Sequence, residues 1–347
     1  MKAAFAVFLA TLGAVAALTF TEKHPAAAAA PSSQVRPLNL IEHIISLPGV
    51  NGRIDHFTAD PKRKRLFVGA VGNNSVEVID VFGGKHIHTI TGFEGPKTPV
   101  YIPEFDKLFV ISTTDAKVRI FDGGNYALRK TIGLPGDFEM IRYDPTSKKV
   151  FVGWGDPQGN GGIAVIDPAT EELLDQKYDT GGSPESFEVE ASGPHIFANV
   201  PDAGNVVVSI DRKTGEVQKW AIEKGGKNVA MALDESTHRL FTVTRKPPMM
   251  GVFDTQTGKE VAEVPVVGDC ADLFFDKTRK RVYAIGGWGY ISVFQQRDPD
   301  HYDLIENVPT IPGVRTGYFY SKRDLLYVGV QPQGNEPAAV WTFEPQN

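Results

Sequence analysis

Short apolar segments recur along the chain, each preceded by polar turn residues and spaced 42 to 46 residues from the next. The seven segments are Leu66-Phe67-Val68, Leu108-Phe109-Val110, Val150-Phe151-Val152, Ile196-Phe197-Ala198, Leu240-Phe241-Thr242, Val282-Tyr283-Ala284 and Leu326-Tyr327-Val328. A second apolar stretch that ends in aspartate follows most of them, as at Val78-Ile79-Asp80. Short apolar runs bounded by turn residues predict β-strands rather than helices.

The length of the repeat predicts the fold class. Four short strands in ~43 residues are the size of one blade of a β-propeller, and such rings close with about four to eight blades. Seven copies occupy residues 38–347. The sequence therefore predicts an all-β fold, a seven-bladed β-propeller built from four-stranded antiparallel blades.

The first and last repeats complement each other. The seventh copy ends at 339–343, which corresponds to its third strand. The segment from Leu40 to Val50 matches the one from Leu304 to Val314, at an offset of 264 residues, or six repeats of 44. We therefore expect the N-terminal segment to be the outer strand of the seventh blade. This pairing would close the ring and cover an otherwise open strand edge.

The N-terminal residues have the pattern of an export signal. Lys2 precedes an apolar run of 18 residues at 3–20, and an alanine tract at 26–30 supplies small residues for cleavage. A retained N-terminal anchor is the alternative, because 18 residues are the lower limit for a bilayer span. We predict a periplasmic or secreted protein with no stable membrane span after cleavage. The predicted segments are an export signal peptide at 1–30, a linker at 31–37 and the propeller at 38–347.

Composition excludes several classes of protein. The 35 Gly and 24 Pro are too many turn residues for a helical protein of 347 residues. A net charge of −6 argues against a protein that coats nucleic acid with its whole surface. The single cysteine, Cys270, excludes an intrachain disulfide framework, a CxxC redox pair, a covalent c-type haem and a zinc site with several cysteines.

The repeat motifs resemble a known family. Segments such as Arg65-Leu66-Phe67-Val68 and Leu326-Tyr327-Val328, with Val-Ile-Asp strands and Thr-Gly turns, are similar to the YVTN-repeat family of seven-bladed β-propellers, which includes exported bacterial YncE-like proteins. The resemblance covers residues 38–347 and implies a fold and an exported location. Some members bind nucleic acid or protein partners, and lactonases share the fold. The sixth repeat differs by having Gln295 where other repeats have Asp.

Ionisable residues precede the first strand of almost every predicted blade. In a propeller these loops surround one mouth of the central channel, and the loops between the second and third strands open on the same face. We therefore predict a site for a small polar ligand, held by charge-assisted hydrogen bonds and a tryptophan wall. A water-filled channel that binds nothing is the alternative. The candidate residues are Arg53, Asp55, His56, Lys97, Asp137, Glu139, Glu185, Asn228, Asp269, Asp272, Arg315, Trp154, Arg245 and Trp288.

Two chemical alternatives are open for this site. His56 could act as a general base, but not with Asp55, because neighbouring residues on a strand point to opposite faces. Its carboxylate partner would be Glu139, Glu185 or Asp272. The same carboxylates, with Asn228, could hold a divalent cation, as in lactonase propellers. Apart from that cation no cofactor is predicted. Whether the protein is an enzyme stays open, with binding favoured over a lactonase-type hydrolase.

The opposite face of the predicted ring has a different charge. The six residues before each apolar segment contain 14 Lys and Arg but only 9 Asp and Glu. This imbalance indicates a second alternative, in which the turns between first and second strands bind nucleic acid or another polyanion. The partner that we expect is a small polar ligand or another exported protein, and we expect a monomer.

Overall fold

The computed structural model describes residues 36–347, apart from the side chains of Glu42 and His43. The predicted signal peptide and most of the predicted linker lie outside the described residues. Within the described part, strands form seven antiparallel sheets of four strands each, and only two short 3-10 turns interrupt them, at Val71–Asn73 and Pro201–Ala203. No helix in residues 36–347 is long and apolar enough to cross a membrane.

Each sheet is one blade, and six blades use four strands in chain order. The first strand of the chain, β1 (Leu38–Leu47), belongs instead to the seventh blade. The first three blades contain β2 (Phe57–Asp60), β3 (Arg65–Ala70), β4 (Ser75–Asp80) and β5 (Lys85–Ile90); β6 (Pro96–Ile102), β7 (Lys107–Ser112), β8 (Lys117–Asp122) and β9 (Leu128–Gly133); and β10 (Asp137–Asp144), β11 (Lys149–Gly155), β12 (Gly161–Asp167) and β13 (Glu172–Asp179).

The other four blades repeat this arrangement. They contain β14 (Ser186–Val189), β15 (His195–Val200), β16 (Val206–Asp211) and β17 (Val217–Ala221); β18 (Gly226–Asp234), β19 (Arg239–Lys246), β20 (Pro248–Asp254) and β21 (Glu260–Pro265); β22 (Cys270–Asp276), β23 (Arg281–Gly286), β24 (Tyr290–Asp298) and β25 (His301–Pro309); and β26 (Gly317–Tyr320), β27 (Leu325–Val330) and β28 (Ala338–Pro345) with β1. The predicted fold class, a seven-bladed β-propeller, is confirmed.

The N-terminal strand closes the ring. β1 pairs antiparallel with β28, so that Leu38 lies opposite Pro345 and Leu47 opposite Ala338. The innermost strand of each blade contacts the innermost strand of the next, and β26 contacts β2 to complete the circle. The pairing that the sequence repeat predicted for the ends of the propeller is therefore present.

The hydrophobic core lies between blades rather than within any one of them. A cluster of fully buried side chains joins Phe109 and Ile111 of β7 to Phe138 of β10 and Val150 of β11. The outermost strands have polar, exposed patterns because one of their edges and most of one face meet solvent. Burial against two neighbours explains why the second strands are the most apolar segments of the sequence.

Arginines in the turns between first and second strands join neighbouring blades. Arg63 donates to both carboxylate oxygens of Asp106 in the second blade, at 2.7 and 2.5 Å. Arg279 makes the same pair of bonds to Asp324 in the seventh blade, at 2.6 and 2.5 Å. The hydrogen bonds from Arg63 hold the pKa of Asp106 at about 2. Part of the positive charge of this face is therefore already neutralised within the protein.

Candidate functional site

One cavity of about 220 Å³ lies where the loops that lead into the innermost strands converge. All seven blades contribute to its wall, which places the cavity at one mouth of the central channel. Eight of the residues predicted from the sequence line it: Arg53, Asp55, His56, Lys97, Glu139, Glu185, Arg245 and Arg315.

β-Bulges at the start of four inner strands bring side chains to this cavity. The pairing of β6 with β7 shifts between Pro96 and Pro99, the stretch that contains Lys97. The pairing of β10 with β11 shifts between Phe138 and Ile141, the stretch that contains Glu139. Similar shifts occur in β18 around Val229 and in β22 around Ala271. A bulge turns a strand and redirects a side chain, which explains why these positions face the axis.

His56 lies between two carboxylates from different blades. Its Nδ1 is 2.9 Å from Oδ1 of Asp272, and its Nε2 is 3.3 Å from Oδ1 of Asp55. Oδ2 of Asp272 accepts a 2.8 Å hydrogen bond from the backbone N–H of Gly317, which fixes that carboxylate. Burial lowers the pKa of His56, but the charges of Asp272 and Asp55 outweigh burial and raise the pKa above its ordinary value.

The expectation that Asp55 could not partner His56 is wrong. It assumed that both residues lie on a strand, where neighbours point to opposite faces. β2 begins at Phe57, and before it the N–H of Asp55 and the carbonyl of His56 both bond to Gly69 of β3, at 2.7 and 3.0 Å, so that two residues oppose one and the alternation of a regular strand does not apply. Both carboxylates therefore reach the imidazole, Asp272 from the sixth blade and Asp55 from the neighbouring position.

Arginines form a second group around the cavity. Arg53 donates through Nη2 to Oδ2 of Asp55. Arg315 Nη1 lies 3.0 and 3.1 Å from the two carboxylate oxygens of Asp269, and Arg245 Nη2 lies 3.4 Å from Oδ1 of the same side chain. Two guanidinium groups thus share one carboxylate. Because an arginine has five N–H donors, both keep donors to spare.

Lysine and glutamate side chains complete the wall. Lys97 is only 8% exposed and pairs with Glu139 of the third blade. Burial lowers the pKa of Lys97. Glu185 lines the cavity from the fourth blade, and its carboxylate has no ion-pair partner or side-chain hydrogen bond among the described side chains. It is the one lining carboxylate in the described part without such a partner.

Two predicted polar residues support the mouth without lining the cavity. Asn228 is fully buried, and its Nδ2 donates to Oδ1 of Asn199 and to the carbonyl of Val206, both at 3.0 Å. Asp137 is exposed and accepts hydrogen bonds from the Thr113 hydroxyl and from the backbone N–H of Phe138. Neither side chain is part of the cavity wall, although Asp137 lies near enough to Lys97 for its charge to act on the pKa of that lysine.

The predicted tryptophan wall is not formed. Trp154 lies opposite Phe138 in the sheet and packs against the core between the second and third blades. Trp288 is 61% exposed and covers the backbone of Gly268, where an added β-carbon would lie 2.2 Å from the indole. Packing in the blade and over a glycine thus takes both rings away from the cavity lining.

The sequence prediction missed three apolar lining residues, Met140, Val229 and Ala271. They lie ten or eleven positions before the apolar segments of their repeats, within the same window as the charged candidates. The prediction selected ionisable residues at these positions and therefore omitted the three apolar ones. They give the cavity small apolar areas between its charged groups.

Metal-ligating residues are not clustered in the described part of the chain. In residues 36–347 no group of three His, Cys, Asp or Glu side chains is arranged to hold a metal ion. Cys270, the only cysteine of the chain, is fully buried, and burial raises its pKa. Apart from Glu185, the carboxylates at the mouth instead pair with arginine, lysine or histidine.

No family model and no curated protein matches the chain. The chain is similar to a solved hydrazine synthase chain from Kuenenia stuttgartiensis, with 17% identity and a TM-score of 0.70 over 81% of this chain and 95% of that one. The WD40 repeats of RRP9 give 11% identity and a TM-score of 0.74, covering 87% and 97%. A chain of the mitotic checkpoint complex gives 13% identity and a TM-score of 0.73, covering 97% and 98%.

The described part of the chain is a seven-bladed β-propeller. At these identities the likeness to the three solved structures shows the fold alone. The functions of such folds depend on the residues placed on them. The function of this propeller must therefore be inferred from its own cavity.

Proposed function

We propose that the protein is an exported binding protein that holds a small charged ligand at the mouth of its central channel. The observation that carries this proposal is the convergence of charged side chains from different blades on a single cavity of about 220 Å³. This volume corresponds to about seven water molecules at ~30 Å³ each, so that a ligand of roughly seven to ten non-hydrogen atoms would fill it. Charge-assisted hydrogen bonds would hold such a ligand.

The environment of His56 supports binding rather than catalysis. A general base needs a free lone pair on one ring nitrogen. Here both nitrogens lie next to carboxylates, and the raised pKa keeps the ring in its protonated form up to higher pH. A lactonase-type reaction would need either a free imidazole nitrogen or a cluster of oxygen ligands for a cation. The arrangement favours neither.

The opposite face is a weaker candidate for the binding surface. Arg63 and Arg279 already donate to the carboxylates of Asp106 and Asp324 in the neighbouring blades. A polyanion would have to compete with these bonds, because affinity for phosphate chains depends on free cationic groups. The mouth, with spare arginine donors, is therefore the site that we propose.

Export is supported by the sequence pattern at 1–30 and by the resemblance to the YVTN-repeat, YncE-like proteins. Both arguments come from sequence, since residues 1–35 lie outside the described residues. Fractionation tests them directly. We expect the mature protein in the periplasm or the medium, and intact chain in the cytoplasm would contradict export.

Thermal shift measurements test ligand binding. The mature protein is heated with a panel of small acids, amines and zwitterions, each at 1 mM. For a ligand with a micromolar Kd this concentration is roughly a thousand times the Kd, and binding then stabilises the folded protein by about 4 kcal/mol. We expect at least one compound to raise the melting temperature of the wild-type protein but not of Arg315→Ala. Lys280→Ala, on the opposite face, should respond as the wild type does. A panel with no active compound, or equal responses of Arg315→Ala and wild type, would contradict the proposal.

A further inference from the structure

Positive and negative groups are equal in number at the cavity. The lining residues and their direct ion-pair partners include five cationic groups, counting His56 as imidazolium, and five carboxylates. A net charge added to a partly buried site is costly unless an opposite charge compensates it. A ligand with no net charge but with charged groups of both signs avoids this cost.

The charges are nevertheless distributed unevenly around the cavity. Arg245 and Arg315 share the single carboxylate of Asp269, which leaves one positive charge in excess near the fifth to seventh blades. Glu185 of the fourth blade makes no ion pair with any described side chain, which leaves one negative charge in excess, although it lies near enough to Lys97 for its charge to act on the pKa of that lysine. The other carboxylates of the cluster each pair with arginine, histidine or lysine.

Glu185 and Arg315 lie on opposite sides of the channel, and Arg245 of the fifth blade lies between them around the ring. Glu185 belongs to the fourth blade and Arg315 to the seventh, and three blades are the largest separation possible in a ring of seven. A cavity of this volume is about 7 Å across if it is roughly spherical. One small molecule can therefore contact both groups.

Free hydrogen-bond donors on the positive side match a carboxylate. Arg315 uses only Nη1 toward Asp269, and Arg245 approaches the same carboxylate only through Nη2, at 3.4 Å. A guanidinium with two free N–H groups binds a carboxylate in bidentate fashion. On the negative side, Glu185 has acceptor oxygens for an ammonium group.

We propose that the cavity selects a small zwitterion, with its carboxylate on Arg315 and Arg245 and its protonated amine on Glu185. The inference rests on the proposed function of this cavity and adds the chemical class of the ligand. Linear amino acids with the two charges several bonds apart match the span better than a dicarboxylate or a diamine. A dicarboxylate would place a second anion beside Glu185, and a diamine would place a cation beside the arginines.

Calorimetric titration with compounds of equal length tests this inference. The amino acids are glycine, β-alanine, 4-aminobutyrate and 5-aminopentanoate, which vary the spacing of the charges, and each is compared with the carboxylate, amine and dicarboxylate of its own length, which for 5-aminopentanoate are pentanoate, pentylamine and glutarate. We expect one of the amino acids to bind the wild-type protein at least tenfold more tightly than the carboxylate, amine and dicarboxylate of its length. Losing one charged partner in a partly buried site typically changes affinity by this much or more.

Variants separate the two ends of the ligand. Glu185→Gln should retain its melting temperature, since Glu185 has no ion pair in the described part, and should lose the tenfold preference for the amino acid over the matched carboxylate. Glu216→Gln is the matched control, because Glu216 is exposed in the turn between the third and fourth strands of the same blade. It should bind as the wild type does.

The outcomes distinguish this inference from the proposed function. Binding of pentanoate or glutarate as tight as that of the amino acids would overturn the zwitterion and leave a charged-ligand site. An unchanged preference in Glu185→Gln would overturn the role of Glu185. If no amino acid of the set binds at 10 mM, the zwitterion inference fails, and the wider thermal shift panel then decides whether the cavity binds any charged ligand.

Discussion

At the scale of single residues, His56 shows how the mouth holds a buried charge. Desolvation disfavours an imidazolium, but carboxylates on both sides of the ring reverse the effect and raise its pKa. Asp272 is itself held by the backbone N–H of Gly317. His56 thus connects the first blade with Asp272 of the sixth blade, which Gly317 of the seventh blade holds in place.

A pH series on His56→Gln tests this arrangement. Since the folded-state pKa is raised, the ion pairs stabilise the fold fully below the unfolded value near 6.5, and the contribution is lost as pH rises through the folded-state pKa. We expect the variant to lose about 1.5–3 kcal/mol at pH 5.5 and less at pH 9. Urea unfolding at both pH values measures the difference. Asp272→Asn should flatten the same pH dependence, and a loss that grows with pH would refute the assignment.

At the scale of elements, β1 shows how one strand stabilises a whole blade. Ile45 is 1% exposed and packs into the core between the seventh and first blades, whereas the neighbouring Ile44 is 50% exposed. Alternate residues of a strand face opposite sides, so that only one of the two isoleucines contributes to the core. The strand therefore closes the ring with side chains as well as with backbone hydrogen bonds.

These two isoleucines form a matched pair for mutation. Ile45→Ala should lower the free energy of unfolding by about 2–5 kcal/mol, because it removes buried methyl groups and leaves a cavity. Ile44→Ala deletes the same atoms from a solvent-exposed position and should change stability by less than about 0.5 kcal/mol. Chemical denaturation of both variants checks the prediction. Equal effects would mean that β1 does not pack as described.

At the scale of the whole molecule, the two ends of the propeller meet. The backbone N–H of Gln346 donates to the carbonyl of Pro37 at 2.9 Å, and β1 and β28 share one blade. The ring is thus held at its junction by strand pairing and not only by contacts between blades. A propeller whose junction fell between two complete blades would lack these hydrogen bonds.

Circular permutation tests how much this junction contributes to the stability of the fold. Residues 347 and 36 are joined by a short linker, and new ends are made either in the β16–β17 turn, between Thr214 and Gly215, or between blades, at Glu223 and Lys224. In the first permutant one blade still contains strands from both ends of the chain, and its melting temperature should be close to that of the parent protein. The second should melt at least about 5 °C lower, since ~1 kcal/mol shifts the melting temperature of a large domain by about 2–4 °C. Equal melting temperatures would contradict a stabilising role for the shared blade.

The repeat spacing alone was sufficient to predict the blades, their number and the pairing of β1 with β28. This is possible because each blade is a local unit, whose apolar strands and turn residues recur at a nearly constant interval. The same interval predicted which loops surround the channel. It therefore also predicted most of the ionisable residues that line the cavity, such as Arg53 and Arg315.

The tertiary structure alone decided which of these residues contact one another. His56 and Asp272 are 216 positions apart, and nothing in the local sequence indicates that Asp272 rather than Glu139 or Glu185 would reach the imidazole. That choice depends on the β-bulges of the inner strands and on where β2 begins. Which carboxylate remains unpaired, and with it the chemistry of the ligand that we propose, follows from contacts across the channel that a one-dimensional repeat does not encode.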